Sequence, residues 1–133
     1  MSETPTAAKI LELVPLLFVE DIVRSAEFYL IPLGFVLAEK WEPDGKLAWC
    51  RLERGGSAIM LQQAEAEDGP ADHRGHGVGF FFNCDNVDAL HVELTQRGLD
   101  LEPPTIAFYG LKQVFLKDPD GYELCFQSPA RAG

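Results

Sequence analysis

Gly56-Ser57-Ala58-Ile59-Met60-Leu61-Gln62 returns 65 residues later as Gly121-Tyr122-Glu123-Leu124-Cys125-Phe126-Gln127. Glycine meets glycine, Ile59 meets Leu124, Leu61 meets Phe126 and Gln62 meets Gln127. Working outward at the same offset, Ile22 meets Val87 and Val19 meets Cys84, and the offset falls to 64 at Gly34 and Gly98, where one helix–strand loop is a residue longer. A period of this length exceeds a solenoid unit and reads as a duplicated supersecondary module.

Each copy predicts the order β-α-β-β-β. In the first, residues 11–19 read as a buried strand, and Pro15 inside it marks an edge or a bulge, because proline cannot donate to a sheet. Asp21 is a candidate N-cap for a helix over 22–31, with Ile22, Ala26 and Tyr29 on one side and Pro32 and Gly34 as stops. Residues 35–41 and 46–52 form a hairpin about Pro43-Asp44-Gly45, and Gly55-Gly56 turns the chain into 57–62. Residues 64–75 hold Glu65, Glu67, Asp68, Asp72, Gly69, Pro70 and Gly75 without a large apolar side chain, a solvated linker. The second copy has a strand over 78–84, a helix over 87–97 capped by Asp85 or Asn86 and closed by Gly98, and a break at Pro103-Pro104. Strands over 105–108 and 112–116 follow, and a turn at Asp118-Pro119-Asp120-Gly121 leads into 122–127. The expected class is α+β, a single domain over 1–133 with module one at about 10–63, a linker at about 64–75 and module two at about 76–128.

Composition narrows the partners. The chain has 133 residues, of which 11 are Lys or Arg and 21 Asp or Glu, a formal net charge of −10. Such a balance repels phosphate backbones and anionic lipid, so neither nucleic acid nor membrane is an expected partner; it would attract cationic ligands, but solubility is the preferred reading of the charge by itself. Apolar runs such as Leu13–Val19 are far shorter than a bilayer span, and Met1 to Lys9 carries no signal-peptide pattern. Cys50, Cys84 and Cys125 are odd in number and far apart, which excludes a closed disulfide framework and suits reduced thiols in the cytoplasm.

Val19-Glu20-Asp21-Ile22-Val23-Arg24-Ser25-Ala26-Glu27-Phe28-Tyr29, followed by Leu33-Gly34-Phe35, resembles the first-module signature of the vicinal oxygen chelate superfamily. That group holds glyoxalase I, extradiol dioxygenases, and fosfomycin and bleomycin resistance proteins. In the second half Tyr109-Gly110, Phe115 and Asp118-Pro119-Asp120-Gly121-Tyr122-Glu123-Leu124 agree, so the resemblance runs from about Leu11 to Ser128. It implies two tandem βαβββ modules whose strands form a cup-shaped mixed sheet with flanking helices. The cup holds the ligand and is built from modules of one chain or of two. The resemblance also implies a homodimer.

The superfamily's enzymes place a divalent metal in the cup on His, Gln or Glu from the first and last strands of each module. The motifs carry those positions onto Val14, Gly79, Met60 and Cys125. Two of these have no donor and two offer soft sulfur, so no metal, cofactor or catalytic residue is expected. His73 and His76 fall in the linker, His91 reads as a surface position on the second helix, and Cys125 has no sequence neighbour to activate it as a nucleophile.

Strand alternation puts Phe18 on the face of Val14, Gln62 with Met60, Phe81 and Asn83 with Gly79, and Gln127 with Cys125. Trp41 and Trp49 flank the first hairpin near the rim, and Phe108 and Tyr109 hold a similar place in module two. Aromatic faces stack on heteroaromatic rings and cations, and amides fix orientation. An amide on an otherwise apolar face needs a partner, and Gln62 and Gln127 could bond each other. The expected function is binding of a small molecule, aromatic and cationic in character, as in the bleomycin resistance branch. The alternatives are a metal-dependent enzyme of lactoylglutathione lyase or extradiol dioxygenase type with an atypical site, and a regulatory module whose cup is closed by side chains.

Overall fold

The computed structural model describes residues 7–130. Strand β1 (Leu16–Val19), helix α1 (Ile22–Leu30) and strands β2 (Val36–Trp41), β3 (Trp49–Arg54) and β4 (Ser57–Gln63) make the first half. Strand β5 (Gly79–Asn83), helix α2 (Val87–Gln96) and strands β6 (Thr105–Ile106), β7 (Leu111–Lys117) and β8 (Glu123–Pro129) make the second. The strands form two four-stranded mixed sheets, ordered β1-β4-β3-β2 and β5-β8-β7-β6, rather than one continuous sheet. In each, the first strand of the module lies parallel to the last and the rest are antiparallel.

The expected first strand is shortened. Residues 11–15 lie outside β1, which begins after Pro15, and β1 is an edge strand with β4 as its neighbour. Proline lacks an N–H, yet its carbonyl still accepts from Met60 N at 2.9 Å, so the pairing starts there from one side. The linker contains two single turns of 3-10 helix, Ala66–Asp68 and Ala71–His73.

Both helices start where their caps dictate. The Asp21 side chain accepts from Arg24 N and the Asn86 side chain from Ala89 N, each satisfying an amide that a first helical turn leaves free. Ile22, Ser25, Ala26 and Tyr29 fall at helical spacing and are the buried face of α1. Ile22, Ala26 and Tyr29 join Leu17, Val19, Leu52 and Leu61 of the first sheet and Val87, Leu94, Val114 and Leu124 of the second half in a single core. Phe35 and Phe82 meet edge to face across it at 6.0 Å.

A polar staple holds the halves together. Asp118 is buried; its Oδ2 accepts from the Tyr29 hydroxyl at 2.7 Å and its Oδ1 from the backbone N–H groups of Asp120 and Tyr122. Asp120 accepts from Glu20 N at 2.8 Å and from Ser25 Oγ at 2.9 Å. The Tyr122 hydroxyl donates to the Phe18 carbonyl at 2.7 Å. Arg74, from the linker, adds a 2.6 Å ion pair to Glu20. The Asp-Pro-Asp-Gly turn thus does more than reverse the chain: its carboxylates satisfy donors on module one, where burial makes an unmet donor or acceptor costly. Gly75 lies against this staple, and a Cβ there would sit 2.7 Å from Tyr122 Cδ1.

Candidate functional site

Alternation gives each sheet one face on the core and one face away from it. On the first sheet Leu17, Val19, Cys50, Leu52, Ile59 and Leu61 are buried in the core. Their neighbours point the other way, and register lines them up into a row across four strands. Phe18 lies opposite Gln62, Gln62 opposite Trp49, and Trp49 opposite Trp41. The next row holds Leu16, Met60, Arg51 and Glu39. Trp41 is 60% exposed, and beside the two indoles lies a cavity of about 900 Å³ lined also by Gln62, Asp21, Lys46 and Glu65. Its lining comes from module one and the start of the linker, with none from module two.

On the second sheet the corresponding row is Asn83, Gln127, Gln113 and Thr105. Phe81, Cys125 and Phe115 form the row beside it. Phe81 and Phe115 are each about half exposed and meet edge to face at 6.3 Å. The amides are joined: Gln113 Nε2 donates to Gln127 Oε1 at 2.9 Å and to the Tyr109 hydroxyl oxygen at 2.6 Å, and Gln127 Nε2 donates to Asn83 Oδ1 at 2.9 Å. Gln127 therefore bonds within its own sheet, not to Gln62. Phe108, beside Tyr109 in the β6–β7 turn, is 99% exposed.

The residues picked from the sequence thus fall into two groups. Phe18, Trp41, Trp49, Met60 and Gln62 lie together on the first sheet. Phe81, Asn83, Cys125 and Gln127 lie together on the second, with Tyr109 bonded to their row. A further cavity of about 390 Å³ lies where the modules meet, lined by Leu13, Pro15, Ala58, Gly79 and Phe81 among others. Sequence reasoning missed Gln113, Phe115 and Arg51. The first two could have been found by alternation along 112–116, and Gln113 also by its offset of 64 from Trp49. Arg51 lies opposite Met60 and is held by Glu53 at 2.7 Å and Glu12 at 3.2 Å. Of the histidines, His73 and His76 are exposed in linker turns, as their placement there suggests. His91 corrects the surface reading: it is half-buried, and its Nε2 is buried without a partner among the described residues.

The metal positions can be tested on their own chemistry. Val14 precedes β1 and Gly79 has no side chain. Cys125 is 1% exposed, and burial, with Cys84 adding to it, pushes its thiol up to about 11, so it holds its proton at neutral pH. Met60 offers a thioether. This donor set does not fit a borderline or hard divalent ion, which asks for three or more imidazole, carboxylate or amide donors. Among the described residues no three His, Cys, Asp or Glu side chains cluster to hold one. None of the described helices is long and apolar enough to cross a membrane.

A sequence profile of the Glyoxalase/Bleomycin resistance protein/Dioxygenase superfamily matches residues 9–126. The chain belongs to that superfamily. No curated protein matches it significantly. Among solved structures it is similar to TnmS3, an antibiotic binding protein from Streptomyces sp. CB03234, with a TM-score of 0.72 and 23% identity, covering 93% of this chain and 99% of that one. It is also similar to a bleomycin resistance determinant encoded on the transposon Tn5, with a TM-score of 0.73 and 18% identity, covering 92% and 100%. A third is the bleomycin-binding protein of the bleomycin producer Streptomyces verticillus, complexed with copper(II)-bleomycin, with a TM-score of 0.66 and 20% identity, covering 95% and 100%. At these identities the likeness concerns the fold.

Proposed function

We propose that this chain binds a small aromatic, cationic molecule of the bleomycin type on the outward faces of its two sheets, without a metal ion of its own and without altering the ligand. The observation that carries the reading is the row Phe18-Gln62-Trp49-Trp41. Four large or amide side chains line up across a sheet on the face away from the core, and three of them, Gln62, Trp49 and Trp41, also line a cavity of ligand size that extends past the strand ends to the start of α1. Aromatic faces on the solvent side of a sheet serve a partner, because the core has no use for them there. The net charge of −10 favours a cation, and three structural neighbours are antibiotic-binding or bleomycin resistance proteins.

Two chains pair in this reading, so that the first sheet of one and the second sheet of the other close over one ligand. The exposure of Trp41, Phe81 and Phe115 is the opening such a pairing would cover. Three free thiols suit the reducing cytoplasm. The chain's 2 tryptophans both lie in the proposed site, so intrinsic fluorescence reports on it directly. Titration with metal-free bleomycin and other cationic aromatics should give a saturable change. An unchanged spectrum across the whole series would overturn the reading. Sedimentation should give twice the 14.7 kDa chain mass, and a monomer at all concentrations would remove the paired site.

A further inference from the structure

The two modules use the same kind of helix cap in different surroundings. Asp21 starts α1 and Asn86 starts α2, and each side chain accepts from the backbone N–H three residues on. The neutral amide of Asn86 does that work, so capping does not need the charge on Asp21. Asp21 also lines the cavity that holds Trp41 and Trp49, where Glu42, Glu65 and Lys46 are the other charged groups. At offsets of 64 or 65, module two has Thr105 for Trp41, Gln113 for Trp49, Asn86 for Asp21, Ile106 for Glu42 and Ala130 for Glu65. Indoles and carboxylates occur together in one copy, and both are replaced in the other.

Asp21 also sets the sign of the local field. The start of a helix carries about half a positive charge and favours anions. Helix α1 has no acidic residue in its first turn, whereas α2 has Asp88 there. Without the Asp21 carboxylate, the end of α1 that borders the cavity would repel a cation; with it, that end attracts one. Asp21 Oδ1 takes the capping bond from Arg24 N at 3.2 Å, which leaves Oδ2 for a ligand.

Gln63 ties this end to the indole wall. Its Oε1 accepts from Ile22 N at 3.0 Å, and its backbone N–H donates to the carbonyl of Ala48, the neighbour of Trp49, at 2.9 Å. Carboxylate and rings nevertheless stand on different elements, the start of α1 and the β2–β3 hairpin. A charge that meets Asp21 therefore lies beside a ring stacked on Trp41 or Trp49, not within it.

We propose that Asp21 reads the ligand's charge, and that the ligand is an aromatic whose positive charge is an ammonium on a short arm beside the ring, with the ring on the indoles and the ammonium at Asp21 Oδ2. This rests on the binding reading above and specifies where the cation lies.

Three two-ring probes separate the possibilities by calorimetry. 2-(1-Naphthyl)ethylamine carries an ammonium on an arm at neutral pH, 1-naphthaleneethanol has the same arm without charge, and N-methylquinolinium has its charge in the ring. Wild-type protein should bind the amine most tightly. Asp21→Asn keeps a capping acceptor and removes the charge. It should weaken the amine about tenfold, near the low end for a charge-assisted hydrogen bond because Asp21 is exposed, and leave the alcohol unchanged. The quinolinium should lose less than the amine. Glu27→Gln removes a charge from the same helix outside the cavity and should leave all three as they were. Amine binding no tighter than that of the alcohol or the quinolinium would overturn the proposal. So would an Asp21→Asn protein that keeps its amine affinity or loses alcohol and amine alike, or an equal loss in Glu27→Gln. Failure of all three probes would also overturn it, while the binding reading stands or falls separately on the bleomycin titration. Circular dichroism of Asp21→Asn checks that α1 is kept.

Discussion

Tyr29→Phe removes one oxygen from the interior and leaves the ring in place. Tyr29 is fully buried, and its hydroxyl is the donor to Asp118 Oδ2 at 2.7 Å, while backbone N–H groups hold the other oxygen. Asp118 is 5% exposed, so water cannot readily replace the lost donor. A hydrogen bond to a charged group contributes about 1.5–3 kcal/mol, which puts the expected loss near 2 kcal/mol at neutral pH. For a chain of this size that is a fall of roughly 6–10 °C in Tm.

The loss also has a pH signature. Burial raises the Asp118 carboxyl above its ordinary value, against the lowering effect of the Tyr29 hydroxyl and the backbone donors. A raised folded pKa means stability that is present at low pH and is lost as pH rises through that value. Removing the hydroxyl takes away a lowering influence and moves the carboxyl higher still. The variant's deficit must therefore be greatest where Asp118 is ionised and shrink as acid protonates it. Urea unfolding of both proteins from pH 8 to pH 4 measures this. A deficit below about 0.5 kcal/mol at neutral pH, or one that widens as pH falls, would refute the staple as described.

Other perturbations test neighbouring parts. Gly75→Ala should cost about 2 kcal/mol in urea unfolding, since the new Cβ meets Tyr122 at 2.7 Å and the backbone there has φ +73°. Asp120→Ala should cost about 2–3 kcal/mol by stripping the acceptor from Glu20 N and Ser25 Oγ; Asp120→Asn, which keeps an acceptor, should cost less by the same assay. Burial pushes the Cys50 and Cys125 thiols from 9.0 up to about 11 and holds the Tyr29 phenol well above 10.0. Each group then supports the fold below its unfolded pKa and stops doing so as pH rises through the folded one. Stability should start to fall above about pH 9, and a thiol reagent at neutral pH should reach Cys50 and Cys125 only after urea is added.

The sequence carried the repeat because duplication leaves apolar positions in register, and the helix starts because Asp21 and Asn86 are cap residues with a local job. Alternation was enough to place Phe18 with Gln62 on one face and Phe81 with Cys125 on another. It could not show that these faces belong to separate sheets, since a strand's own pattern does not name its neighbours across the molecule. Nor could it show the staple. Asp118 reads as a turn residue, and its partner Tyr29 stands 89 positions away and reads as an ordinary core aromatic. The bond between Gln127 and Gln113 was missed for a similar reason: alternation and the repeat offset can mark Gln113 as a site position, but only register sets it beside Gln127 on the neighbouring antiparallel strand. Pro15 marked an edge correctly, but where β1 begins depended on pairing with Met60.

The most direct test of binding without a protein-bound metal is a calorimetric titration of metal-free bleomycin into the purified protein in excess EDTA. The account predicts saturable heat with one ligand per chain, unchanged by the chelator. No heat, or heat that appears only after zinc or manganese replaces the EDTA, would contradict it.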